Sequence, residues 1–122
     1  MSDPSGNAIG VQANAAIIRI PASLNGKNLS GATAALSAVS SSGIPTINLK
    51  RSRRTNATTR SEVAMLTTKL TIDATEFDSI DAAVAVVIDT ANDDVVTGDQ
   101  IHIDIDVAGT GAKGLVVELT FS

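Results

Sequence analysis

Gln100-Ile101-His102-Ile103-Asp104-Ile105-Asp106-Val107 keeps a strict two-residue period. Ile101, Ile103, Ile105 and Val107 fall on one side of such a segment, and Gln100, His102, Asp104 and Asp106 on the other. This is the pattern of a β-strand with one apolar and one wet face. The same alternation recurs outward in both directions. Leu115, Val117, Leu119 and Phe121 alternate with Val116, Glu118, Thr120 and Ser122. Leu66, Leu70 and Ile72 oppose Thr67, Lys69, Thr71 and Asp73, and Ile47 and Leu49 oppose Thr46, Asn48 and Lys50. Ile17 to Ile20 and Leu29 to Val39 are β-rich but alternate less cleanly. Ala82 to Ile88 is apolar on both faces, which predicts either a central strand or one covered by a partner chain.

Turn formers fill the gaps. Asn25-Gly26 follows Pro21, Ser40 to Pro45 is a Ser/Gly/Pro run, and Asn92-Asp93-Asp94 and Thr97-Gly98-Asp99 flank the pair Val95-Val96. Ser61 to Leu66 could open as a helical turn capped by Ser61, but Thr67-Thr68 favour a strand. No long segment keeps a 3.6-residue apolar period. The sequence therefore predicts an all-β fold of about seven strands, with an eighth at Val95-Val96. Strand starts recur about every 14 to 19 residues, wider than the roughly 8–12 of tight meanders. That spacing points to an antiparallel β-sandwich of jelly-roll or Greek-key type. A single domain is expected over residues 14–122, preceded by an extended arm over 1–13 that is rich in small residues.

Composition narrows the function. The chain has 122 residues, no Cys, no Trp, no Tyr, two Phe and one His. A chain this size hides roughly two-thirds of its unfolded surface, enough for one ordinary core. Without cysteine there is no disulfide framework, thiolate metal site or thiol nucleophile. Without aromatic faces, a stacking platform for single-stranded nucleic acid is close to excluded and an aromatic glycan platform is disfavoured. No run reaches the ~18 apolar residues of a membrane span. The polar opening also lacks the basic-then-apolar order of a secretory signal, so synthesis in the cytoplasm is expected.

Net charge is −4, unevenly placed. Lys50, Arg51, Arg53, Arg54 and Arg60 are five of the nine basic residues, whereas Asp73 to Asp106 holds ten of the thirteen acids and no Lys or Arg. The basic segment fits a solvated hairpin tip, docking on an acidic protein surface, or nucleic-acid binding. Net negative charge and missing aromatics weigh against the last. Asp93, Asp94 and Asp99 could approach a calcium ion, but their spacing is not that of an EF-hand loop, and turn chemistry explains each of them separately. His102, Asp104 and Asp106, about 7 Å apart at each step along one strand face, invite a catalytic reading, yet no nucleophile motif accompanies them. A solvated sheet face or an inter-subunit polar contact fits them better. Gly109 to Gly114 shares glycines and Lys113 with a phosphate loop, but it leads into a strand and reads as a turn. No enzyme activity and no cofactor are expected.

Three segments together resemble small β-sandwich virion modules of tailed bacteriophages. They are Ile18-Arg19-Ile20-Pro21-Ala22-Ser23-Leu24-Asn25-Gly26-Lys27-Asn28-Leu29, then Leu70-Thr71-Ile72-Asp73-Ala74, and lastly Ile88 to Val107 with Gly114 to Phe121. The resemblance spans Ile17 to Phe121 and rests on fold and assembly motifs that carry no chemistry. Asp89 departs from the Asn expected in the pattern. Such modules serve as head decoration (cement) proteins or as terminal domains of fibres, and the resemblance implies a β-sandwich, often a homotrimer. With only a short arm before the module, a decoration protein on the outer surface of the phage capsid is the first expectation. A fibre module that binds a host receptor or glycan is the second. The expected partners are the major capsid protein and further copies of the chain, with no nucleic acid and no membrane. Arg51, Arg53, Arg54 and Arg60, with Ile9 and Val11 of the arm, are the candidate capsid contacts. Val84, Val86 and Ile88, with His102 and Asp104, are the candidate subunit-interface residues.

Overall fold

The alternating stretch forms strand β8 (Gln100–Val107) at the heart of the principal sheet of the computed structural model, which describes residues 9–122. It lies between β1 (Gln12–Arg19) and β3 (Thr46–Arg54); β4 (Arg60–Ala64) extends the sheet beyond β3 as a hairpin, and β6 (Leu70–Thr71) pairs with the start of β3. Two smaller sheets accompany it: β2 (Leu29–Ala35) with β9 (Val116–Phe121), and β5 (Leu66–Thr68) with β7 (Val87–Ile88). All pairings are antiparallel, and the fold is all-β and sandwich-like. Neighbours such as β1 with β8 and β2 with β9 are far apart in sequence, as the wide strand spacing implies. Among the described residues no helix is long and apolar enough to cross a membrane.

Register explains the core. Ile103 sits opposite Leu49 on one side and Ala16 on the other, and Ile105 opposite Ile47. Ile47, Leu49, Ile101 and Ile103 are completely buried. Leu29, Ala32, Ala34 and Val117 from β2 and β9 join them, together with Met65, Leu70, Ile72 and Val95. The core is aliphatic throughout, and each large side chain removed from water contributes roughly 1.5–3 kcal/mol. Branched aliphatics fit this role because they lose little rotamer freedom on a pleated surface.

Several expected elements differ. Nine strands form among the described residues instead of seven or eight. The segment Leu66–Ile72 is split at Lys69, and its two halves pair with different strands. Ser61–Ala64 is strand, not helical turn. Val95 is fully buried but lies outside any strand, with its N–H donating to the Lys27 carbonyl at 2.9 Å. Ala82–Ile88 is not a central strand: only Val87–Ile88 pairs, and Val84 and Val87 are exposed. The alanines that begin this run have weak strand propensity. Side chains take up its backbone groups instead, with Asp73 accepting from the Ala83 N–H at 2.8 Å.

Of the expected arm, residues 1–8 lie outside the described residues. Ile9 is buried in the core, its N–H donating to the Ala112 carbonyl at 2.8 Å, and β1 already begins at Gln12. The sandwich thus starts inside the segment read as an arm.

Candidate functional site

The apolar row of β3 runs Ile47, Leu49 and then continues on the same face with Arg51 and Arg53. Charge at the end of a core row must be neutralised where it sits, and the turn before β8 supplies the carboxylates. Arg51 Nη1 donates to Asp94 Oδ1 at 2.8 Å and to the Asp94 carbonyl at 2.7 Å. Arg53 grips Asp99 with two prongs, Nε to Oδ1 at 3.1 Å and Nη2 to Oδ2 at 2.8 Å, and also reaches Asp94 Oδ2 at 3.3 Å. Asp99 is almost wholly buried, and its Oδ2 accepts from the Val96 N–H at 3.0 Å. Gly98, at φ 89°, makes the turn that a side chain would strain, and its N–H donates to the Ile20 carbonyl at 2.9 Å.

Burial alone would push the Asp94 carboxyl up. The Arg51 charge and the hydrogen bonds from Arg53 and Arg51 outweigh that effect and hold it below the ordinary carboxylate value. Asp99 acts on Arg53 in the opposite direction, raising its pKa mainly through their hydrogen bond. Two of the three acids considered for calcium, Asp94 and Asp99, therefore face arginines. Among the described residues no group of three or more His, Asp or Glu side chains could hold a metal ion.

Beside this ion-pair knot opens a cleft of about 340 Å³ lined by Arg19, Arg53, Arg54, Arg60, Val96, Thr97, Gly98 and Asp99. Arg60 leans on neutral groups, Nε to Ser52 Oγ at 2.7 Å and Nη2 to the Ser52 carbonyl at 2.8 Å. Arg54 stands directly opposite Arg60 in the β3–β4 register. Arg19 ends β1, opposite Gln100, and its Nη2 lies over Gly98. Neither the Arg19 nor the Arg54 side chain has a hydrogen bond or ion pair among the described residues.

A second polar cluster covers the outer face of β8. Lys50 Nζ lies 3.2 Å from Asp104 Oδ2 and 3.9 Å from Glu62 Oε1. The Asn14 N–H donates to Asp104 Oδ1 at 2.7 Å. His102 places Nε2 3.2 Å from Gln100 Oε1, and Nδ1 3.3 Å from Glu62 Oε2 without hydrogen-bond alignment. The Asp104 hydrogen bond and charge raise the Lys50 pKa, so the lysine is a held cation and not a base. The cluster ties β1, β8, β3 and β4 together through charge.

The sequence candidates therefore separate. Arg53, Arg54 and Arg60 meet at the cleft. Arg51 is enclosed by its own chain, as is Ile9, so neither offers a surface to a partner; Val11 is exposed. His102 and Asp104 are buried, covered by neighbours on the same sheet instead of open to another subunit. Val84 is exposed, whereas Val86 and Ile88 pack partly against the core. Arg19 was invisible to sequence reasoning. It stands alone between apolar residues, far from the basic run, and only the pairing of β1 with β8 brings it there. No family model, curated protein or solved structure matches the chain.

Proposed function

We propose that this protein is a virion structural protein, a decoration protein that binds the outer surface of an assembled phage head and stabilises it as a homotrimer. The observation that carries the reading is the cleft at which Arg19, Arg54 and Arg60 stand without carboxylate partners among the described residues, on a chain of net charge −4. Folding leaves those charges uncompensated, and a protein surface bearing carboxylates would complete them. The resemblance to phage virion modules supplies the surface: the major capsid protein in its assembled lattice. A protein that binds only the assembled shell stabilises it by mass action against the pressure of packaged DNA. Threefold and quasi-threefold lattice points suit a trimer. Its self-contact falls on residues 77–87, where Phe77, Ile80, Val84 and Val87 are all exposed.

A fibre module that binds a host glycan is the second reading. It is favoured by a groove of about 630 Å³ lined by Ile18, Leu24, Glu118, Leu119, Thr120 and Phe121, which offers one aromatic ring beside polar groups. Incubating the purified protein separately with heads stripped of it, with tails and with host polysaccharide separates the two. Saturable binding to heads by a species of three times the chain mass is the expected result. Binding to polysaccharide with none to heads would replace the first reading by the second.

A further inference from the structure

We infer that the arginine cleft takes the carboxylates of an acidic protein segment, and that Arg19, contributed by a different strand from the hairpin arginines, completes the site. The inference rests on the decoration reading for where the segment resides and adds the chemistry that holds it.

Three observations lead there. Arg54 and Arg60 are directly opposite on adjacent antiparallel strands, a placement in which like charges destabilise the sheet. No carboxylate among the described residues offsets this. Among the described residues, Asp99 and Asp94 are engaged by Arg53 and Arg51, the Arg60 side chain is bonded only to Ser52, and the Arg19 and Arg54 side chains are unpaired. Of the ten acids between Asp73 and Asp106 only Asp99 lines the cleft, and it is taken by Arg53, so Arg19, Arg54 and Arg60 line it with no carboxylate of their own among the described residues. A concave site of one sign focuses its field on an incoming anion.

Shape selects the class of anion. At ~30 Å³ per water, the cleft holds about ten waters, more than one compact oxyanion fills and enough for two or three carboxylate side chains. Its remaining walls are Val96, Thr97 and Gly98, with no ring on which a base could stack. Guanidinium forks match carboxylates two bonds at a time, and the free forks of Arg19 on β1 and Arg54 on β3 would engage successive acids along one extended segment, with Arg60, held on Ser52, adding its charge.

The test uses a fluorescein-labelled hexaglutamate peptide, inorganic tripolyphosphate and stripped heads, each titrated against the wild-type protein, Arg19→Ala and Arg54→Ala. Because neither side chain has a hydrogen-bond or ion-pair partner among the described residues, Arg19→Ala should melt like wild type, and Arg54→Ala, relieved of the repulsion from Arg60, no lower. The expected result is salt-sensitive peptide binding that weakens about tenfold or more in each variant, the loss of one charge-assisted contact. Peptide binding that depends on Arg19 supports the inference even if heads are not bound, in which case the decoration reading alone fails. Head binding unaffected by Arg19→Ala, absence of peptide binding, or Arg19-dependent binding of tripolyphosphate far tighter than of peptide would each overturn the carboxylate site.

Discussion

Arg53 and Asp99 form a two-pronged pair, Nη2 to Oδ2 at 2.8 Å and Nε to Oδ1 at 3.1 Å, joining the end of β3 to the turn that launches β8. The carboxylate is buried while the guanidinium reaches the cleft. One side chain thus closes the core and forms a wall of the candidate site. Removing the carboxylate leaves Arg53 without its main partner and the Val96 N–H unsatisfied. Asp99→Ala should cost about 2–3 kcal/mol, below the usual range for a broken buried pair because Arg53 is partly solvated. Urea unfolding of the two proteins measures it; a loss too small to resolve would show that the pair does not hold the turn.

Acid should loosen the same knot from its other carboxylate. Asp94 is held below its ordinary value near 3.8 by Arg51 and Arg53. A carboxyl with a depressed folded pKa contributes stability that is present above the unfolded pKa and lost as pH falls through the folded one. Melting temperature should therefore fall as pH is lowered from about 5 to about 3, and Asp94→Asn should flatten that part of the profile. Because the Asp94 side chain is half exposed, the slope should diminish in high salt. A profile unchanged by the substitution would remove Asp94 from the account.

The aliphatic core makes a simpler demand. Leu49 and Ile103 are opposite one another on β3 and β8 and are completely buried. Leu49→Ala should destabilise by about 2–5 kcal/mol, the sum of lost transfer energy and the cavity left in a layer without aromatic rings that could shift to fill it. Chemical denaturation reads this directly.

Gly109 tests the close approach of two loops. Its φ is 69°, and an added Cβ would collide with the Ser40 hydroxyl, which accepts from the Thr110 N–H at 3.0 Å and donates to the Ser42 carbonyl. Gly109→Ala combines backbone strain with displacement of that hydroxyl and should cost about 1–3 kcal/mol. Gly111→Ala also meets a positive φ, but nothing lies within 4 Å of its Cβ, so the smaller loss expected there isolates the steric part.

Much of this fold was legible because alternation reports burial directly. The row Ile101, Ile103, Ile105 is buried as its period implies, and the crossing connections follow from the strand spacing. Alternation failed where the second face was not water. His102 and Asp104 read as solvated or as facing another subunit, yet Lys50, Glu62 and Asn14 cover them, and no local pattern reveals which strands will lie alongside. It failed again at Ala82–Ile88, where apolar content suggested a strand but the alanines and the side-chain acceptor Asp73 favoured an irregular path. At the candidate site, the basic run showed Arg53, Arg54 and Arg60 as a cluster. It could not show that Arg51 turns inward, since that depends on Asp94 waiting at the end of the core row. Nor could it find Arg19, which reaches the cleft only through the register of β1 on β8.

We propose that the exposed arginines of the cleft hold the protein on an assembled head. Cosedimentation with stripped heads, comparing wild type with the double variant Arg19→Ala/Arg54→Ala, tests it most directly. The expected result is saturable wild-type binding that weakens as salt rises, with a loss of roughly a hundredfold or more in the variant, about tenfold for each charge-assisted contact removed. Equal binding by the two proteins at all salt concentrations would contradict it.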